Sequence, residues 1–165
     1  MSGVKQQALS RLARTMLDLT IVLVVAGVVL HGISGGVWDR FVHDLIERTD
    51  GPMRFRFILQ PVMAAIAAIR DGRADATAGR APFIWAVVSQ PEKRLPRLRE
   101  ALNATARIIL LALVMDVIYQ ALVLKTFYPD EAAVIALLLA FVPYAIIREV
   151  VLRITRARAS APGVR

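Results

Sequence analysis

Between residues 106 and 124 the chain reads ARIILLALVMDVIYQALVL, and between 132 and 151 it reads AAVIALLLAFVPYAIIREVV. Runs of this length and apolarity match the ~20 residues a helix needs to cross a bilayer. A third run, LTIVLVVAGVVL at 19–30, is uncharged and reaches spanning length through His31, Gly32 and Ile33. A fourth, FRFILQPVMAAIAAI at 55–69, is shorter and carries Gln60 and Pro61. Proline there removes one backbone hydrogen bond, which a membrane helix tolerates when a neighbour re-satisfies the freed carbonyl. Four runs predict an all-α membrane protein with four transmembrane helices, at about 17–34, 54–72, 105–124 and 131–151. A cleaved signal peptide competes for the first run, since residues 1–15 are basic and Gly32, Ser34, Gly35 and Gly36 are small. The later runs keep the chain in the membrane on either reading.

The segments between the runs have other patterns. In 37–49, Trp38, Phe41, Val42, Leu45 and Ile46 fall at helical spacing, with Asp39, Arg40, His43, Asp44, Glu47 and Arg48 opposite. That predicts one outer interfacial amphipathic helix, too charged to span. Asp39, His43 and Glu47 share a face that a metal would accept, but a solvated face explains them, and no metal is expected. The stretch PFIWAVV at 82–88 is apolar but too short to cross, so it is read as an interfacial or re-entrant piece. A cytoplasmic basic loop is expected over 79–100, with prolines at 91 and 96, and a basic cytoplasmic tail over 153–165.

Charge orients the bundle. The net charge is +8, and hydrophobic residues make up 57% of the chain. With the N-terminus inside and four spans, sixteen of the 21 basic residues lie on the inner side and five outside. The positive-inside rule then places both termini in the cytoplasm. Basic residues flanking apolar runs point to anionic lipid rather than nucleic acid. KRLPRLR at 93–99 supplies Lys93, Arg94, Arg97 and Arg99 as candidate headgroup ligands. The chain has no cysteine, so disulfides, thiolate metal sites and thiol catalysis are excluded. No phosphate loop, zinc-type spacing or nucleophile–base pair is visible, so neither an enzyme nor a cofactor is expected.

One residue stands out for chemistry. Asp116 lies near the middle of the third span, with Tyr119 and Gln120 one turn later on the same face. An acid at the bilayer centre costs about 2.5–3.5 kcal/mol on the insertion scale, so it must face other helices and find a partner. By depth, Gln60, Arg56 and Arg54 of the second span are the candidates. Two readings stand side by side: a proton or ion relay, and an acid that fixes helix packing. Separately, Ala132, Ala136 and Ala140 repeat at four-residue spacing, as do Ala64 and Ala68. Small residues so spaced let helix backbones approach closely.

The stretch RFRFILQPVMAAIAAIRDGRADATAGRAP at 54–82 resembles a family of small bacterial membrane proteins. Its members share RFxLQPxMAxxxAxRDGxxDAxAGRxP followed by a Trp, here Trp85. The resemblance implies a bacterial inner-membrane location and no particular activity. It directs interest to Pro61, Arg70, Asp71, Gly72 and Asp75, together with Gln60. The expected function is a non-enzymatic accessory or scaffold subunit; the alternative is a small oligomeric transporter or channel using Asp116. Expected partners are the lipid bilayer with its anionic lipids, and further copies of the chain or a larger membrane complex.

Overall fold

The computed structural model describes residues 8–32, 43 and 54–160. The interfacial helix expected at 37–49, with its Asp39 and Glu47, falls outside them apart from His43. Regular structure among the described residues is all helical. The elements are α1 (Arg11–His31), α2 (Arg56–Thr77), α3 (Phe83–Ser89), α4 (Pro91–Tyr119) running into a π-helical turn (Gln120–Leu124), and α5 (Pro129–Ser160). Three of these, α1, α4 with its π-turn, and α5, are long and apolar enough to cross a membrane.

Local chemistry explains the ends. Ser10 caps α1, its hydroxyl accepting from the Ala13 N–H at 3.1 Å. Asn103 of α4 accepts the Ser10 N–H at 2.8 Å and donates to the Ala8 carbonyl at 3.2 Å, which pins the start of α1 to α4. α2 ends at Thr77, and Gly79 takes φ +63°, the left-handed conformation glycine adopts without steric cost. Pro129 opens α5 with Asp130 and Glu131 in its first turn, which suits the positive helix N-terminus.

The loop expected over 79–100 is instead mostly helical, and this corrects the reading of its prolines. Pro91 sits in the first turn of α4, where its missing N–H would be unbonded anyway. Pro96 lies one turn further in, at a partly buried position in the polar end of the helix. The apolar stretch before them forms α3, burying Phe83 and Ala86.

Contacts fix the helix directions. Asp75 near the end of α2 meets Arg97 near the start of α4, whereas Arg56 at the start of α2 meets Asp116 near the end of α4. Arg148, late in α5, returns to Asp75, and Gly27, late in α1, faces Asp130 at the start of α5. The helices therefore run up, down, up and down, with residues 8–10 and the end of α5 at the same end of the bundle.

The most extensive packing is between α2 and α5. The alanines singled out by spacing are its seam: Ala64, Ala68, Ala132, Ala136 and Ala140 are all fully buried. On α2 the buried stripe continues through Gly72, where an added Cβ would lie 2.7 Å from the Arg148 carbonyl oxygen. Backbones this close gain dispersion contacts along their whole length, the main attraction available between helices in lipid.

Candidate functional site

The α2 stripe that packs the bundle carries a charge at each end. Its buried residues are Arg56, Gln60, Ala64, Ala68, Gly72 and Asp75. Arg56 and Asp75 are nineteen residues apart, as are Arg97 and Asp116 on the antiparallel α4. At 1.5 Å per residue that is about 28 Å. Two polar clusters thus sit far apart in the core, with small and apolar side chains between them.

The first cluster is the one expected around Asp116. Asp116 is fully buried, and Arg56 Nη1 lies 2.8 Å from its Oδ1. The other oxygen accepts from Gln120 Nε2 at 2.7 Å. Gln120 is closed in turn by the backbone of Tyr128: its Nε2 donates to the carbonyl at 3.0 Å and its Oε1 accepts the N–H at 2.6 Å. The Arg56 guanidinium rests over the Tyr119 ring at 4.9 Å and the Phe57 ring at 5.2 Å. Gln60 is buried one turn along α2. Arg56 thus turns inward, while Arg54 is exposed and free to reach outward. The carboxamide of Gln120 ties the π-turn and the 125–128 connection to the core like a short piece of backbone. Replacing Gln120 by leucine would leave the Tyr128 N–H and carbonyl without these partners. A loss of about 1–3 kcal/mol is expected, read as a lower detergent melting temperature.

The second cluster lies at the opposite end and is larger. Asp75, 1% exposed, takes Arg97 as a two-pronged fork, Nη1 to Oδ1 and Nη2 to Oδ2, both at 2.9 Å. Arg148 Nε adds 2.8 Å to Oδ2, and Arg80 Nη1 adds 3.2 Å to Oδ1. Glu100 balances the same cations, with Arg80 at 2.9 Å and Arg97 and Arg148 each at 3.1 Å. Tyr144 donates to Asp71 at 2.7 Å and accepts from Arg148 at 2.8 Å. Phe83 covers the group, its ring 4.9 Å from the Arg148 guanidinium and 5.7 Å from that of Arg97. Two-pronged, charge-assisted bonds of this type give geometric specificity as well as energy.

The motif positions divide accordingly. Asp75 is the centre of the second cluster, Asp71 its partly exposed edge, and Gly72 the closest backbone approach. Arg70 points to solvent and pairs with Asp71 at 3.3 Å. Pro61 is partly buried within a continuous α2. Among the four candidate headgroup ligands, Arg97 is a correction: it is buried, and its guanidinium is taken up by Asp75 and Glu100. Arg94 is exposed but bonds the Val87 and Val88 carbonyls, at 2.7 and 3.0 Å. Lys93 is exposed and Arg99 half-buried.

The Asp75 cluster was not assembled by sequence reasoning, although a signal for it exists. Asp75 continues the small-residue stripe of α2, Arg148 that of Ala136, Ala140 and Tyr144, and Arg97 that of Ala101 and Thr105. A charge in register with a packing seam is a buried charge, and three such charges require one another. Among the described residues no group of histidines and acids is arranged to hold a metal. No family model, curated protein or solved structure matches the chain.

Proposed function

We propose that the chain is a four-span, non-enzymatic accessory or scaffold subunit of a bacterial inner membrane, with both termini cytoplasmic. The observation that carries this reading is the closure of Asp116. Both its oxygens are engaged, by Arg56 and by Gln120, and Gln120 is itself saturated by the Tyr128 backbone. A relay carboxylate must trade partners with a passing ion; this one holds helices together.

The fourth span is α2. It turns Arg56, Gln60 and Asp75 inward and presents Ile58, Val62, Ile66 and Ile69 outward, so its lipid face is apolar despite its charges. The alternating helix directions bring residues 8–10 and the end of α5 to one side, which agrees with the uneven distribution of arginine.

Asp116→Asn tests the reading. The scaffold predicts a destabilisation of about 1.5–3 kcal/mol, since Arg56 loses its counter-charge but keeps the Tyr119 and Phe57 ring faces, with weaker retention of partners in mild-detergent pull-downs. It also predicts ion flux in vesicles equal to that of protein-free vesicles, for wild type and variant alike. A wild-type flux that disappears in a normally melting Asp116→Asn protein would establish the transporter instead.

A further inference from the structure

We infer that α3 is a membrane-interface anchor, its outer face seated at the headgroup–acyl boundary of an anionic inner leaflet; this rests on the membrane reading above. The helix is only seven residues long, yet it is fastened at both ends by charged side chains from other helices. Glu149 Oε2 of α5 accepts the Ile84 N–H at 3.2 Å, and Arg94 of α4 bonds the carbonyls of Val87 and Val88. Arg97 also donates to the Ala81 carbonyl at 3.1 Å, just before the helix. Phe83 is the inward anchor, lying over Arg97 and Arg148.

With that inner side consumed, the opposite side is left bare. Trp85 is 59% exposed, Ile84 41% and Val88 66%. An apolar face with a tryptophan, held rigidly rather than folded inward, needs a covering medium. Depth identifies it. The two core clusters are about 28 Å apart, so they cannot both lie deep within a hydrocarbon layer ~30 Å thick. As the proposed fourth span, α2 crosses between Arg56 and Asp75, which places the Asp75 cluster, and α3 resting on it, at the inner boundary. Tryptophan concentrates at that level because its ring is amphipathic.

Charge completes the case. Arg80 and Arg153 are half or more exposed beside the helix, and Lys93 and Arg94 follow it directly. Each basic residue near an anionic surface contributes about 1 kcal/mol of attraction. A protein partner would need acidic groups to match this rim, whereas anionic headgroups supply them everywhere at this depth.

The test uses the full-length chain. Trp38 is the other tryptophan, so Trp38→Phe leaves Trp85 as the sole reporter. The protein is reconstituted into phosphatidylcholine–phosphatidylglycerol vesicles carrying lipids brominated near the headgroup end of the acyl chain. The expected result is blue-shifted emission quenched by lipid bromine and resistant to aqueous acrylamide. Quenching should be at least about twofold stronger when the bromine is on phosphatidylglycerol than on phosphatidylcholine, and that preference should fall in Lys93→Gln. Strong acrylamide quenching with none from lipid would overturn the assignment in favour of a water-exposed face. Protection from both quenchers would overturn it in favour of a protein contact, and equal quenching by the two lipids would overturn the anionic preference. Flotation of the same vesicles separates these outcomes from a failure of the membrane reading, in which the protein would not float.

Discussion

Asp75→Asn is expected to destabilise the protein by about 3–5 kcal/mol, more than any other single charge neutralisation. Breaking a buried pair costs this much because the remaining charge stays desolvated and uncompensated. Here three guanidiniums, from Arg80, Arg97 and Arg148, converge on Asp75, and Glu100 alone would remain to face them. Asparagine keeps the shape and half of the acceptor capacity, so the loss reports charge rather than a cavity. Thermal melting in mild detergent, followed by helical circular dichroism, measures the effect. A double variant with Arg97→Met supplies the internal control: if Asp75 and Arg97 form one unit, the second substitution should add far less than it costs alone. Strict additivity, or a melting point unchanged in Asp75→Asn, would show that the cluster does not bear on stability.

Gly72→Leu should rank close behind, for a reason with no electrostatics in it. The nearest atom to a Cβ at this position is the Arg148 carbonyl oxygen at 2.7 Å, with Val151 Cβ at 3.0 Å. A flexible side chain could swing aside, but a helix backbone can retreat only by moving the helix. The α2–α5 seam would open along its length, loosening the contacts of Ala64, Ala68, Ala136 and Ala140. Overpacking typically costs about 1–3 kcal/mol, and this site belongs at or above the upper end of that range. Gly72→Ala should give a smaller loss in the same direction. A leucine variant that melts like wild type would mean the two helices are not held at this separation.

The two ends of α2 differ in how far they can be read from sequence alone. Asp116 announces itself because an acid in the middle of an apolar run has no inexpensive position, and depth matching brings Arg56 to it. The alanine seams are legible for a similar reason, since four-residue spacing survives any detail of packing. The Asp75 cluster is hidden by context. Arg80 and Arg97 lie in a stretch whose charge density suggests a solvated loop, and Asp75 lies 22 residues from Arg97 and 73 from Arg148. Two prolines strengthen the impression of a loop, yet one sits where a helix can begin and the other is tolerated near that beginning. Arg97 shows the cost of judging a basic segment by composition: its neighbours Lys93 and Arg94 face outward, while it continues the buried stripe of Ala101 and Thr105.

The span of those pairings along the chain also bears on how the protein is made. Arg56 waits for a carboxylate sixty residues downstream, whereas Asp75 meets Arg97 after twenty-two residues and Arg148 only after seventy-three. At ribosomal speeds of roughly 5–20 residues per second, the first delay lasts several seconds. Throughout it Arg56 lacks its counter-charge, and an unpaired arginine disfavours entry into lipid by about 2.5–3.5 kcal/mol at the bilayer centre and by less towards its edge. On the four-span reading, α2 is therefore poorly suited to partition by itself, and its integration is tied to the arrival of α4. Insertion and tertiary assembly, usually treated as successive stages, merge for this segment into one event.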